Sequence, residues 1–184
     1  MVNSILNQSN VNNIKMLHEI IKATPKDYKI LSDLCYEIYP QTYSDWWHDK
    51  GVWYMEKMYN PQKMLCELED EDTQFYFSNV NGVPRGYLKV NHTFKHETDS
   101  FEIERIYLDQ SFARQGIGNE LLNFGIKIAR SLARKTVYLK VMTAGTGLIK
   151  FYEKNGFKII GSEILPFELL KPELRIINTM KKTL

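Results

Sequence analysis

The stretch "LDQSFARQGIGNELL", Leu108 to Leu122, constrains the fold of this chain more than any other. Ahead of it, "SFEIERIYL" alternates and is rich in β-branched and aromatic residues, as strands are. After it, Ile117, Leu121, Leu122, Phe124, Ile128 and Leu132 recur at helical spacing. A strand therefore passes into a long helix through one short loop, and Gly116 and Gly118 stand at the passage. Glycine opens backbone conformations closed to other residues and lets a ligand approach the main chain. The first N–H groups of a helix have no partner within it and carry partial positive charge. Two readings fit the glycines alone: a plain tight turn, or a seat for a pyrophosphate. The fixed-spelling phosphate motifs do not fit. A P-loop needs Lys after its last glycine, and Asn119 follows Gly118. A dinucleotide fingerprint needs a third glycine where Leu121 stands, and an acidic residue further on where the chain reads "TVYLK".

The chain has 184 residues, 43% of them hydrophobic and 25% charged, enough for one domain with a real core. A net charge of +2 implies no broad polyanion-binding surface, which argues against nucleic acid as a partner. Cys35 and Cys66 lack CxxC spacing and read as buried thiols of a reducing, cytoplasmic compartment. The start, "MVNSILNQSNVNN", has no basic-then-apolar leader pattern, and no apolar run approaches membrane-spanning length, so no membrane partner is expected. Residues 1–13 read as a flexible arm and 14–184 as a single domain.

"HEIIKA" alternates as a first strand. "TPKD" starts a helix, with Thr24 as cap, Pro25 in the first position and Asp27 against the positive end. Pro40 is expected to stop it near Tyr39. A second, aromatic helical region spans about Tyr43 to Tyr59, and a short third helix starts at Pro61. "TQFYFSNV" and "PRGYLKVNHTF" flank Asn81-Gly82, the strongest local signal for a two-residue hairpin turn. "TVYLKVM", a short helix "GLIKFYEKNG" closed by Gly156, "FKIIGSEI" and "LRIINTMKK" complete the order β-α-α-α-β-β-β-α-β-α-β-β. That order describes an α/β domain with a mixed sheet.

"IYLDQSFARQGIGNELL", followed some thirty residues later by "KFYEKNGF", resembles the GCN5-related N-acetyltransferase (GNAT) superfamily. The first string looks like its acetyl-coenzyme A motif and the second like its distal motif. The resemblance covers Thr24 to the C-terminus and implies a mainly antiparallel mixed sheet flanked by helices, an acetyl-coenzyme A co-substrate and no metal. Ala113 replaces the Gln or Arg that usually opens the glycine motif, with Arg114 beside it as a substitute. Gly145 and Leu148 replace the usual Asn and Ala of the distal helix. "FEIERIYLDQSF", "GYLKVN" and "MKKTL" further resemble bacterial spermidine/spermine acetyltransferases.

The resemblance assigns the coenzyme to Ile106, Tyr107 and Leu108 at the strand end, Arg114, Gln115, Gly116, Ile117, Gly118 and Asn119 in the loop, and Phe151 and Lys154 in the distal helix. A primary amine of pKa about 10.4 is uncharged at pH 7 only about once in 2,500 molecules, a cost of roughly 4.6 kcal/mol unless a base takes the proton. Glu102 and Glu104 share one face of the alternating strand. They serve either as that base, Glu102 first by motif offset, or as strand carboxylates paired with Arg105. The Leu108 N–H resembles the donor that steadies the thioester oxygen, and Tyr152 resembles the acid that protonates the departing sulfur. Glu37, Trp46 and Trp47, with Tyr43, Asp45, Asp49, Trp53 and Tyr54 nearby, form either an acceptor wall suited to a cation or plain helix packing. "ELEDED", Glu67 to Asp72, reads as a solvated helix end. His92 and His96 lack the clustering of a metal site.

Three functions remain open at this level. The first is acetylation of a small amine such as a polyamine, the second acetylation of a protein N-terminus or lysine, and the third a silent acetyl-coenzyme A sensor. The apolar stretch Leu169 to Ile177 serves either a homodimer contact or the core.

Overall fold

The computed structural model describes residues 17–184. The arm assigned to residues 1–13 lies outside the described residues. Seven strands form one sheet in the order β1-β2-β3-β4-β5-β7-β6. They are β1 (His18–Lys22), β2 (Thr73–Val80), β3 (Val83–Asn91), β4 (Ser100–Leu108), β5 (Thr136–Met142), β6 (Lys158–Ile164) and β7 (Ile176–Thr183). Every neighbouring pair is antiparallel except β4 and β5. Helices α1 (Tyr28–Tyr43), α2 (Val52–Tyr59) and α3 (Pro61–Glu69) precede the β2–β3 hairpin, α4 (Ile117–Ser131) follows β4, and α5 (Thr146–Lys154) follows β5. The element order matches the one expected from sequence. Asn81 and Gly82 both take positive φ, 51° and 79°, as the two-residue turn requires.

Two cores sandwich the sheet. One gathers Leu121, Leu122, Ile126 and Ala129 of α4 over Leu88, Val90, Phe101 and Ile103. The other gathers α1, α2 and α3 over Phe75, Phe77 and Tyr87. The parallel pairing of β4 with β5 covers only Ser100 to Glu102 against Thr136 to Tyr138. Beyond it the two strands part, and the sheet opens between Ile103–Leu108 and Leu139–Met142.

Five local expectations are corrected or refined. Helix α1 runs through Pro40 to Tyr43. A proline so near the end removes a single ladder bond, and Tyr43 stacks on Tyr39 with ring centroids 5.0 Å apart. The aromatic region after it is broken: Trp47 is extended and bridges Leu170, and Asp49 caps α2 by accepting from the Gly51 and Trp53 amides at 2.9 and 2.8 Å. Cys35 is buried as expected, but Cys66 is exposed. "ELEDED" is not uniformly solvated, because Glu67 is only 7% exposed. The stretch Leu169 to Ile177 is divided: Leu170 is buried in the second core, and β7 lies inside the sheet, leaving β6 as the edge.

Candidate active site

A register shift in β4 organises the site. Arg105 lies opposite Lys89 and Ile103 opposite Val90, so Glu104 is an extra residue with no cross-strand partner. The bulge shifts the alternation beyond it. Ile103 and, after the bulge, Ile106 and Leu108 pack toward α4, while Tyr107 joins the core under α1 to α3. Glu102, Glu104, Arg105 and Tyr107 all border one cavity of about 410 Å³ at the opening between β4 and β5. Tyr39, Tyr43, Trp46 and Trp47 border it from the α1 side, and Gly145, Leu148 and Tyr152 from α5.

The two glutamates share a partner but differ in charge environment. The Asn91 amide donates to Glu102 Oε2 at 2.7 Å and to Glu104 Oε2 at 2.8 Å. Glu104 also pairs with Lys89 at 2.6 Å and Arg105 at 2.9 Å. Burial pushes its carboxyl up, but Arg105 and Lys89 outweigh that and hold it at about 2. Among the described residues, Glu102 has no such cation in contact. Burial raises its carboxyl above the ordinary value, and the Asn91 hydrogen bond only partly offsets this. Glu67 of α3 completes the cluster, with Lys63, Lys89 and Arg105 each at 3.1 Å. Arg105 and Lys89 are both 5% exposed, so these cations are buried with their counter-charges. Sequence reasoning missed Glu67, Lys89 and Asn91. The available signal was a charge at a core position of each strand, Lys89 in "GYLKV" and Arg105 in "EIERIYL".

Tyr152 packs against Phe151 and Phe157, with centroids 5.1 and 6.0 Å away. Burial raises its phenol, which therefore stays protonated at neutral pH. Trp47 is 4% exposed and its indole N–H donates to the Tyr39 hydroxyl at 2.9 Å, so its edge is committed. Trp46 is half-buried at the cavity. Glu37 does not border the cavity; it is exposed and faces Arg85 at 4.0 Å.

Beyond β4 the loop is pinned from both sides. The Asp109 amide donates to the Arg85 carbonyl at 2.8 Å, and the Gln110 amide to the Gln41 side chain at 2.9 Å. Arg114 and Gly116 take positive φ, 62° and 89°, turning the chain sharply into α4. Among the described residues, no hydrogen bond is made by the backbone N–H groups of residues 114 to 118. The Asn119 amide is already used, donating to the Gly116 carbonyl at 2.9 Å. A Cβ on Gly116 or Gly118 meets nothing within 4 Å, so open space adjoins these amides. Unsatisfied donors at a helix start, with room before them, fit a coenzyme diphosphate. Lys154 is exposed at the end of α5. Among the described residues no cluster of metal-ligating side chains occurs, and no helix is long and apolar enough to cross a membrane.

A mixed seven-strand sheet opened between its parallel pair, with a glycine-led helix after the fourth strand, is the fold of the acyl-coenzyme A-dependent N-acetyltransferases. The profile of the acetyltransferase (GNAT) family matches residues 33–157, and this chain belongs to that family. It is an acetyl-coenzyme A-dependent N-acetyltransferase. An uncharacterized N-acetyltransferase of the pepI 3' region in Lactobacillus delbrueckii subsp. lactis is 29% identical over 143 residues, 75% of this chain and 83% of that protein. Among solved structures, the fold matches the PaiA N-acetyltransferase of Thermoplasma acidophilum in complex with coenzyme A, with TM-score 0.74, 21% identity, and coverage of 92% of this chain and 100% of that one. A GCN5-related N-acetyltransferase from Rhodopseudomonas palustris gives TM-score 0.69 at 14% identity, over 90% of this chain and 95% of that one.

Proposed function

We propose that this chain transfers an acetyl group to a primary amine by direct attack within a ternary complex, with Glu102 as base and Tyr152 as acid. The observation that carries this reading is the presence of these two groups on one cavity, where, among the described residues, Glu102 alone of the bordering carboxylates lacks a contacting cation. Acetyl-coenzyme A supplies an activated thioester. The amides of residues 114 to 118 would hold its diphosphate, with Arg114 and Lys154 as nearby cations. Ile106, Tyr107 and Leu108 would flank its arm at the open edge of β4, and Phe151 would support Tyr152 from within α5. Glu102 accepts a proton from the ammonium as its nitrogen pair is committed to attack, which is general-base assistance at the reacting nitrogen. The Leu108 N–H steadies the charge that grows on the carbonyl oxygen. Tyr152, protonated through burial, gives the departing sulfur its proton.

The polyamine acceptor suggested by "FEIERIYLDQSF" belongs to this reading, as does a peptide amine. Two unpaired thiols, Cys35 and Cys66, suit a cytoplasmic setting. Initial rates measured against both substrates test the proposal. Intersecting double-reciprocal lines, with thiol release dependent on the amine, are expected. Parallel lines, or thioester cleavage indifferent to every amine, would overturn it.

A further inference from the structure

Charge in the cavity narrows the acceptor further, and this step rests on the acyl-transfer reading above. Among the described residues, four charged side chains border the cavity: Glu102, Glu104, Arg105 and Lys140. Three have opposite charges in contact. Glu104 lies between Lys89 and Arg105, Arg105 also holds Glu67, and Lys140 pairs with Glu163. Among the described residues, only Glu102 of these four is left with a neutral partner, the Asn91 amide.

The other acidic residues of this region supply no second site. Asp45 is 82% exposed and pairs with Lys50 at 2.6 Å. Asp49 lies outside the cavity lining, and both its oxygens accept from backbone amides at the start of α2. Glu37 faces Arg85 away from the cavity. The phenols are neutral as well, since burial pushes Tyr43 up to about 12 and Tyr39 higher still.

What the cavity offers in quantity is aromatic surface. Tyr39 stacks on both Tyr43 and Tyr54 at 5.0 Å, Trp46 meets Tyr43 edge-on at 5.0 Å, and Phe167 packs on Tyr54 at 5.8 Å. A polyamine would bring a second ammonium into this wall with no carboxylate to receive it; ring faces return only about 0.5–2 kcal/mol to such a cation, less than the several kcal/mol that burying an unpaired charge costs. An aromatic body would instead gain apolar burial and ring contacts. We infer that the acceptor is a primary amine bearing one positive charge on an aromatic or similarly sized apolar body, an arylalkylamine by chemical class. The transfer balances as for any amine. One ammonium proton leaves through Glu102, the nitrogen pair forms the N–C bond as the C–S pair departs on sulfur, and the second proton lost from nitrogen balances the one sulfur gains.

Calorimetric titration of the full chain, saturated with coenzyme A, with phenethylamine, tryptamine, spermidine and spermine tests this, alongside kcat/KM for the same amines. The arylalkylamines are expected to bind at least tenfold tighter and turn over with at least tenfold higher kcat/KM. Trp46→Ala should abolish most of that preference; if it fails to fold, Phe167→Leu asks the same question. Equal or better binding of spermidine would overturn the inference, as would binding of no amine at all. Turnover favouring spermidine overturns it while the acyl-transfer reading stands. Tight arylalkylamine binding with no acetyl transfer supports it and overturns that reading instead.

Discussion

Glu102 and Glu104 stand two residues apart on β4, share the amide of Asn91, and still occupy opposite electrostatic settings. The cause lies in their neighbours. Lys89 and Arg105 hold Glu104 as a carboxylate down to about pH 2, whereas Glu102 keeps a raised affinity for protons. Glu102→Gln should therefore lower kcat by about a hundredfold or more and leave the KM for acetyl-coenzyme A within about twofold. In the unaltered chain, kcat/KM should fall as pH drops through the Glu102 carboxyl, above its ordinary value of 4.5. That acid limb should vanish in the variant, as a pH–rate profile would show. Alternation in "EIERIYL" was enough to place both glutamates on one face. It was silent on their roles, which depend on Lys89 and Asn91 across the hairpin and on a bulge without a spelling of its own.

At the scale of elements, the site is built where β4 and β5 part and α4 and α5 begin. The order of those elements was legible because each is announced locally: Asn81-Gly82 by its turn, α4 by its apolar spacing, α5 by its closing glycine. The break at Trp47 was not legible, because it is fixed by a bridge to Leu170, more than a hundred residues away in sequence. Helix α5 brings Tyr152 to the cavity and pins it between Phe151 and Phe157. Tyr152→Phe keeps that packing and removes one hydroxyl. Its kcat should drop by about tenfold or more, with the KM for acetyl-coenzyme A nearly unchanged. A full rate at every pH would remove Tyr152 from the chemistry.

Across the whole molecule, the buried ion cluster ties α3 to the centre of the sheet. Glu67 reaches Lys89 on β3 and Arg105 on β4, so its loss leaves two buried cations short of a counter-charge. Glu67→Ala should cost about 3–5 kcal/mol, read as a fall in melting temperature on the order of 10 °C. Both Glu67 and Glu104 titrate below their ordinary range when folded. Their contribution to stability is thus present above the ordinary carboxyl value of 4.5 and lost as pH falls below it, for Glu104 toward about 2, which acid titration of the melting temperature should follow. Its two cations stood at core positions of their strands in the sequence, but Glu67 was not legible there, since a glutamate inside "ELEDED" looks like any solvated charge until α3 is laid on the sheet. The glycine turn is the opposite case: its shape depends on local backbone, and the string "RQGIGN" announced a turn into α4. That turn supports everything proposed for the coenzyme. Open space beside Gly118 means that valine there should fold normally while filling the approach to the amides of residues 114 to 118. Calorimetric titration of Gly118→Val with coenzyme A should show affinity reduced at least about tenfold, or about 1.4 kcal/mol, with the melting temperature little changed. Undiminished affinity in a folded Gly118→Val protein would contradict the placing of the diphosphate at this turn.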